Sequence, residues 1–308
     1  MPEHYSVMLN EAIGLLSIKD GGIYVDLTLG RGGHSSEILK RIPNGKLYSF
    51  DIDEEAVEKS KDRLSSISNN FEIILRNFGY AKEELEKRGI DKVDGILMDL
   101  GVSSPQFDEA ERGFSYRFDG PLDMRMDQSN PLTAEKIVNT YSYEDLKNVF
   151  KEYGEDPDSA KVAKLICIER EKKPITTTQE LVDIIKKSKP AKSLSKKGHP
   201  AKQIFQALRI EVNDELGMLK KALEEMPSML APHGVMAIIT FHSLEDRLVK
   251  KAFRSLTVVE GSRHAPFEEE KEADFIDLTR HPILPSEKEL AENHRSASAK
   301  LRGIERKG

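Results

Sequence analysis

Cysteine is nearly absent: Cys167 is the only one in 308 residues. That excludes an internal disulfide framework and any multi-cysteine zinc site, and no metal is expected. Long apolar runs are missing too, since none approaches the roughly 18 residues of a membrane span. The opening residues, Met1 to Val7, carry neither the basic stretch nor the apolar core of a signal peptide. The expectation is a cytoplasmic chain with no membrane partner. Excess positive charge is lacking as well: 47 Lys and Arg stand against 53 Asp and Glu, a net charge of −6. Whole-surface attraction to nucleic acid is thereby excluded, whereas local basic patches are not. With 32 % charged and 38 % hydrophobic residues, the chain belongs to the soluble globular class, with one large domain or two modest ones.

One further absence shapes the reading. The G-x-G-x-x-G turn of pyrophosphate-binding sites does not occur where it would be expected. Ile23, Val25 and Leu27 form a short apolar run that carries Asp26 and Thr28, and Gly30, Gly32 and Gly33 follow. His34-Ser35-Ser36-Glu37 then opens a helix, with hydroxyls near its cap. Strand, glycine turn and helix make the first crossover of a nucleotide-binding α/β sheet. An acid at the strand end suits a cationic, phosphate-free nucleotide, and S-adenosylmethionine meets that description. A glycine-rich turn without a ligand is the plainer alternative.

About 20 residues beyond the glycines, at the end of a second strand over 46–50, stands Asp51. Nucleotide folds place a carboxylate there to accept ribose hydroxyls. Asp53 reads as the N-cap of a helix over 54–64. Phe78 follows a third strand over 71–75, where an aromatic either packs on adenine or joins the core. A fourth strand, 93–100, includes Asp99 and leads into Gly101-Val-Ser-Ser-Pro-Gln-Phe107. That loop is similar to the Ser/Asp/Asn-Pro-Pro-aromatic loop of enzymes that methylate exocyclic amino groups of bases. The exocyclic nitrogen is a poor nucleophile because its lone pair is delocalised into the ring. Acceptors on its N–H groups and alignment with the methyl donor overcome this. Asp99, Ser104 and Pro105 are the candidate catalytic residues. Attack at ring carbon 5 would need a cysteine in this region, and Cys167 lies in a distant helical pattern.

From Asp108 to about Lys202 the strand–helix alternation stops. Phe114 to Asp127 reads as an ordered loop rich in Arg, Tyr, Phe and Met, either wrapping a substrate base or connecting domains. Helices are predicted over 134–139, 143–153, 158–171 and 178–186, which makes a helical insertion. Residues 186–202 hold seven lysines and no acid, and 295–307 hold five basic residues against Glu305. Glu268 to Asp274 form an acidic run between them. A single long helix is expected from Gln203 to about Met226, then a fifth strand over 235–240. Ser243 and Asp246 suggest a capping box, and His242 could face the site. Residues 257–285 are expected to supply a last strand pair.

Four stretches then resemble one family. They are Asp26-Leu-Thr-Leu-Gly-Arg-Gly-Gly-His-Ser35; Asp99-Leu-Gly-Val-Ser-Ser-Pro-Gln106 with Glu111–Ser115 and Gly120-Pro-Leu-Asp-Met-Arg-Met-Asp127; Phe205–Leu216; and Phe241-His-Ser-Leu-Glu-Asp-Arg247. Together they resemble the bacterial ribosomal RNA small subunit methyltransferase H family, nearly end to end and in order. The resemblance implies a Rossmann-like class I S-adenosylmethionine-dependent methyltransferase sheet with an inserted helical domain. Its implied reaction is N4-methylation of one cytidine in the decoding region of small-subunit ribosomal RNA, free or within an assembled subunit. Carried over by motif, the cofactor residues are Gly32, Gly33, His34, Asp51, Phe78, Asp99 and Gln106. The expected division is a methyltransferase domain over 1–107 and 203–308, with a helical RNA-recognition domain over 108–202. A homodimer is compatible with the sequence. The competing functions are a nicotinamide-dependent oxidoreductase, which the loop after Asp99 does not suit, and a non-catalytic RNA-binding module.

Overall fold

The computed structural model describes residues 6–102, 104–195, 197–258 and 272–308, with the side chains of Ser104 and Pro105 outside that description. The chain opens with helix α1 (Leu9–Leu16), strand β1 (Ile23–Asp26) and helix α2 (Gly33–Arg41). Two more strand–helix pairs follow: β2 (Lys46–Asp51) with α3 (Glu54–Ser65), and β3 (Phe71–Leu75) with α4 (Ala81–Lys87). Strand β4 (Val93–Asp99) ends the first run. Seven helices come next: α5 (Ser104–Asp108), α6 (Ala134–Thr140), α7 (Tyr143–Glu152), α8 (Ser159–Lys172), α9 (Thr178–Ser188), α10 (Ala191–Leu194) and α11 (Lys202–Asn213). The sheet then resumes through α12 (Glu215–Glu225), β5 (Leu230–Thr240), α13 (Ser243–Thr257), β6 (Phe275–Asp277), α14 (Glu287–Glu292) and β7 (Lys300–Arg306).

Two compact units result, one of residues 1–101 and 217–308, the other of residues 102–216. The first holds a seven-stranded sheet in the order β3-β2-β1-β4-β5-β7-β6. All neighbouring strands pair in parallel except β7, which runs antiparallel to both β5 and β6. The strands are near-continuous apolar runs because both faces are covered. Alternate residues serve opposite layers. Ile96, Met98, Met236 and Ile238 join a core that includes Leu85, Leu219, Leu223 and Phe253. Leu97, Val235, Ala237 and Ile239 join the other, with Ala12, Leu16, Ile38 and Leu64. Strand order reverses between β1 and β4, so the crevice at their C-terminal ends is the place where such sheets bind ligands.

The second unit is helical. Apolar residues of α6, α7, α8, α9 and α11 bury one core with Phe114, Leu122 and Met124. The 114–127 loop is therefore held from within. Leu122 N–H donates to the Thr176 carbonyl (2.9 Å). Asn213 accepts from Met126 N–H and donates to the Met124 carbonyl, both at 2.8 Å. The sequence assigned α11 to the returning sheet domain, whereas its Ile204, Phe205, Leu208 and Val212 pack in this helical core. Nor is there one helix from 203 to 226. Asp214, at φ 48°, sits in the left-handed region and ends α11 before α12 begins.

A candidate cofactor and methyl-transfer site

The site in the sheet unit is built on the ends of β1, β2 and β4. Asp26 closes β1 and is fully buried. Its carboxylate accepts from Ser35 Oγ (2.6 Å) and Thr28 N–H (3.0 Å), and Ser35 Oγ lies 2.9 Å from Ser49 Oγ on β2. Thr28 reaches across to β4, its Oγ1 accepting from Asp99 N–H at 2.6 Å. These hydroxyls tie three strand ends together. Nothing in the sequence marks Ser35, Ser49 and Thr28 for this role, since isolated hydroxyl residues carry no periodic signal.

The glycine turn follows. Gly32 takes φ +73°, the left-handed conformation that favours glycine, and precedes α2. A Cβ on Gly33 would overlap the Ser6 hydroxyl, so the N-terminal segment lies directly against the turn. The predicted hydroxyl cap is absent. Gly32 is the N-cap and no side chain caps α2, because Ser35 points to Asp26 and Ser36 donates to the Gly32 carbonyl. An uncapped helix start offers backbone N–H groups to an acceptor such as a carboxylate.

Asp51, at the end of β2, does two things at once. Its Oδ2 accepts from Gly30 N–H (2.8 Å) and its Oδ1 from Asp53 N–H (2.9 Å). Burial pushes its carboxyl up to about 6, against the lowering effect of those peptide donors. Asp53 caps α3 as expected, accepting from Glu55 N–H. Phe78 opens a single helical turn after β3 and packs, half-buried, on the core of the sheet unit.

Asp99 closes β4 beside the turn. Its Oδ2 lies 3.6 Å from His34 Nδ1, and its Oδ1 is buried with no hydrogen-bond partner among the described residues. Burial, then the charges of Asp26, Glu245 and Glu289, hold this carboxyl well above the usual range. His34 gives it no positive charge: burial keeps the imidazole below its ordinary value. Its Nε2 lies 3.1 Å from the Val7 carbonyl, so the neutral ring donates there and turns its Nδ1 lone pair toward Asp99. Glu289 accepts from Met8 N–H at 2.8 Å, which brings a C-terminal helix onto the N-terminal segment.

Gly32, Gly33, His34, Asp51 and Asp99 thus converge in the sheet unit. Gln106 belongs to the helical unit, where it is buried in α5. The segment after Gly101, read as a loop, forms that short helix from Ser104. The side chains of Ser104 and Pro105, and all of Ser103, lie outside the described residues, as do Lys196 and Glu268 to Glu270 of the charge runs. The capping box of α13 is one residue earlier than predicted. Glu245 accepts from Phe241 N–H (2.8 Å) and His242 N–H (3.2 Å), while Asp246 pairs with Arg302. Cys167 sits in α8, partly buried against the helical core.

The groups present fit S-adenosylmethionine on their own chemistry. Asp51 retains lone pairs for ribose hydroxyls, the uncapped start of α2 suits a carboxylate, and the orphaned Asp99 Oδ1 lacks the cation or donor that burial demands. A sheet of this order, with a glycine turn after β1 and acids closing β2 and β4, defines a class I S-adenosylmethionine-dependent methyltransferase. Comparison with known proteins makes the assignment narrower. The chain matches the MraW methylase family over residues 1–307. It is 52 % identical to ribosomal RNA small subunit methyltransferase H of Mesoplasma florum, over all of both chains. It is also 52 % identical to the Spiroplasma kunkelii protein of that name, covering 99 % of this chain and 98 % of the relative. The protein of that name from Streptococcus dysgalactiae subsp. equisimilis is 50 % identical, over 97 % and 96 %. This chain belongs to the MraW methylase family.

Proposed function

We propose that this protein methylates the exocyclic N4 of one cytidine in the decoding region of small-subunit ribosomal RNA. The names of its full-length relatives support ribosomal RNA as the substrate class. The chemistry rests on one observation: a buried, partnerless carboxylate oxygen of Asp99, directly before Gly101-Val-Ser-Ser-Pro-Gln-Phe107.

Gly32, Gly33 and His34 hold the amino-acid end of the cofactor, Asp51 the ribose, Phe78 the adenine, and Asp99 and Gln106 complete its site. When bound, S-adenosylmethionine supplies an electrophilic methyl group on a sulfonium. The chain's task is to prepare the amine. Ser104 and Asp99 accept its N–H groups and bias its lone pair out of the ring, and Pro105 keeps the segment rigid. The sheet unit, residues 1–101 and 217–308, holds the cofactor, and the helical unit, residues 102–216, recognises RNA. The target base must leave its stack or already be unstacked, because a duplex hides the required approach.

Nucleoside mass spectrometry of small-subunit ribosomal RNA from a deletion strain tests the reading. Loss of N4-methylcytidine, restored by the intact gene, is the expected result. Loss of 5-methylcytidine or of a 2′-O-methyl nucleoside instead would overturn it.

A further inference from the structure

Within the helical unit the 114–127 loop puts Phe114, Leu122 and Met124 into the core and packs Tyr116 and Met126 against it, which leaves Phe118 as its one aromatic outside. Phe118 is 51 % exposed, and Arg117 beside it is exposed too. Leaving a phenylalanine in water forgoes the burial that stabilises its neighbours Phe114 and Leu122. Yet the turn is firmly held. Thr178 Oγ1 donates to the Phe118 carbonyl (2.8 Å) and accepts from Gly120 N–H (3.1 Å). Asp119 accepts from Gln179 N–H (3.2 Å), and Ser115 Oγ from Arg117 N–H (3.1 Å). Tyr116 stacks on His199 with centroids 4.4 Å apart and planes 12° apart, and meets the buried Phe205 edge-on. Phe118 is thus presented by a fixed backbone.

The surroundings are cationic. Arg117 adjoins Phe118 in the chain, and Lys186 lies on α9, whose first turn holds the Phe118–Gly120 backbone; burial, then the charges of Lys186 and Arg117, hold His199 below its ordinary value. Neither Arg117 nor Lys186 forms an ion pair among the described residues, although elsewhere in this unit Lys147, Lys161, Lys172, Lys173 and Lys189 each meet a carboxylate. Asp119 and Asp183 are the nearby acids in sequence, and each accepts a hydrogen bond from Gln179.

We propose that the Tyr116–Asp119 turn is a landing for single-stranded RNA, with one unstacked base on Phe118 and neighbouring phosphates on Arg117 and Lys186. Aromatic face plus cations is the chemistry that takes a single strand, since every base has a face to stack and every linkage a charge. This rests on the RNA reading above and goes beyond the lysine content of the 186–202 segment: it assigns the affinity to an aromatic that composition does not single out.

The test uses the full-length protein with labelled oligouridylate, titrated at several salt concentrations. Phe118→Ala and Phe118→Leu should each weaken binding roughly five- to a hundredfold, with the salt dependence unchanged. Phe118→Trp should bind as the wild type does. Arg117→Ala should reduce the slope of log affinity on log salt by about 0.7, the loss of one phosphate contact on a single strand. Wild-type affinity in Phe118→Leu would mean an apolar contact, as for a protein partner, and would overturn the proposal. So would wild-type affinity in Phe118→Ala, or no binding of oligouridylate by the wild type while ribosomal RNA is still methylated. Failure of the reaction assignment is read separately, from the methylated nucleoside.

Discussion

Asp156 in the helical unit and Asp99 in the sheet unit are both acids withdrawn from water, and they are treated in opposite ways. The Asp156 side chain is fully buried against the Lys189 ammonium, itself 5 % exposed, and its Oδ1 accepts from Asp158 N–H (2.8 Å). Every charge there has its counterpart. Asp99 meets a neutral imidazole and three further acids in its field, and among the described residues no cation pairs with it. A buried pair that is closed can only be scaffold. A buried carboxylate that is left open is a cost the fold carries until something positive arrives. The difference separates architecture from site without reference to any motif.

Breaking the closed pair should give the largest effect. Lys189→Ala leaves Asp156 buried and unpaired, with an expected loss of about 3–5 kcal/mol of stability. Calorimetric unfolding would measure it, and cofactor affinity at a temperature where the variant stays folded should be unchanged. An unaltered midpoint would show that the pair contributes nothing to the fold.

The open carboxylate should respond the other way. Asp99→Asn removes an ionisable group buried among other acids while keeping the shape, so the empty protein should melt higher. Turnover should nevertheless fall about 10²- to 10³-fold, as when one preorganised electrostatic group is lost from an active site. Titration calorimetry in buffers of different ionisation enthalpy sharpens the point. Wild-type protein should release more protons on binding the cationic cofactor than Asp99→Asn does, because burial and the surrounding acids raise the empty Asp99 carboxyl and a nearby cation lowers it.

Asp51 gives the smallest and most graded effect. Its folded value of about 6 lies above the ordinary carboxylate range. The folded state therefore binds the proton more tightly than the unfolded one, so this group adds stability as pH falls from about 6 toward 4. Protonation also removes acceptor capacity for ribose, so cofactor affinity should decline over the same interval. Asp51→Ala should weaken the cofactor by about 1–3 kcal/mol and flatten that pH dependence. Because Asp51 also holds Gly30 and Asp53 N–H groups, part of the loss reflects a loosened turn. Unchanged affinity would remove Asp51 from the site.

Much of this was legible in the sequence for local reasons. The glycine turn, Asp51 twenty residues on, the cap at Asp53 and helices α6 to α9 all declare themselves within a turn or two of chain. What stayed hidden depends on contacts across the chain. The break at Asp214 has no proline or glycine to mark it. The face of α11 is apolar whichever unit it serves, and only packing against Phe114 and Val138 assigns it. The α13 cap shifts by one residue because Arg302 on β7, 56 residues away, claims Asp246. Thr28, Ser35 and Glu289 matter through partners that proximity in sequence does not supply.

The bond between Met8 and Glu289 spans 281 residues, and it sits over the turn that His34 opens. In the order of synthesis this turn is among the first parts made and among the last completed. Strands β1 to β4 can assemble early, and the helical unit can follow, since the buried residues of its core all lie between 114 and 212. The N-terminal segment acquires its anchor only when α14 has emerged, and the sheet lacks an interior strand until β7 inserts between β5 and β6. A nascent chain can therefore bury the core of its helical unit before its N-terminal segment is anchored and before β7 completes the sheet, so the two units mature in an order set by the length of chain between them.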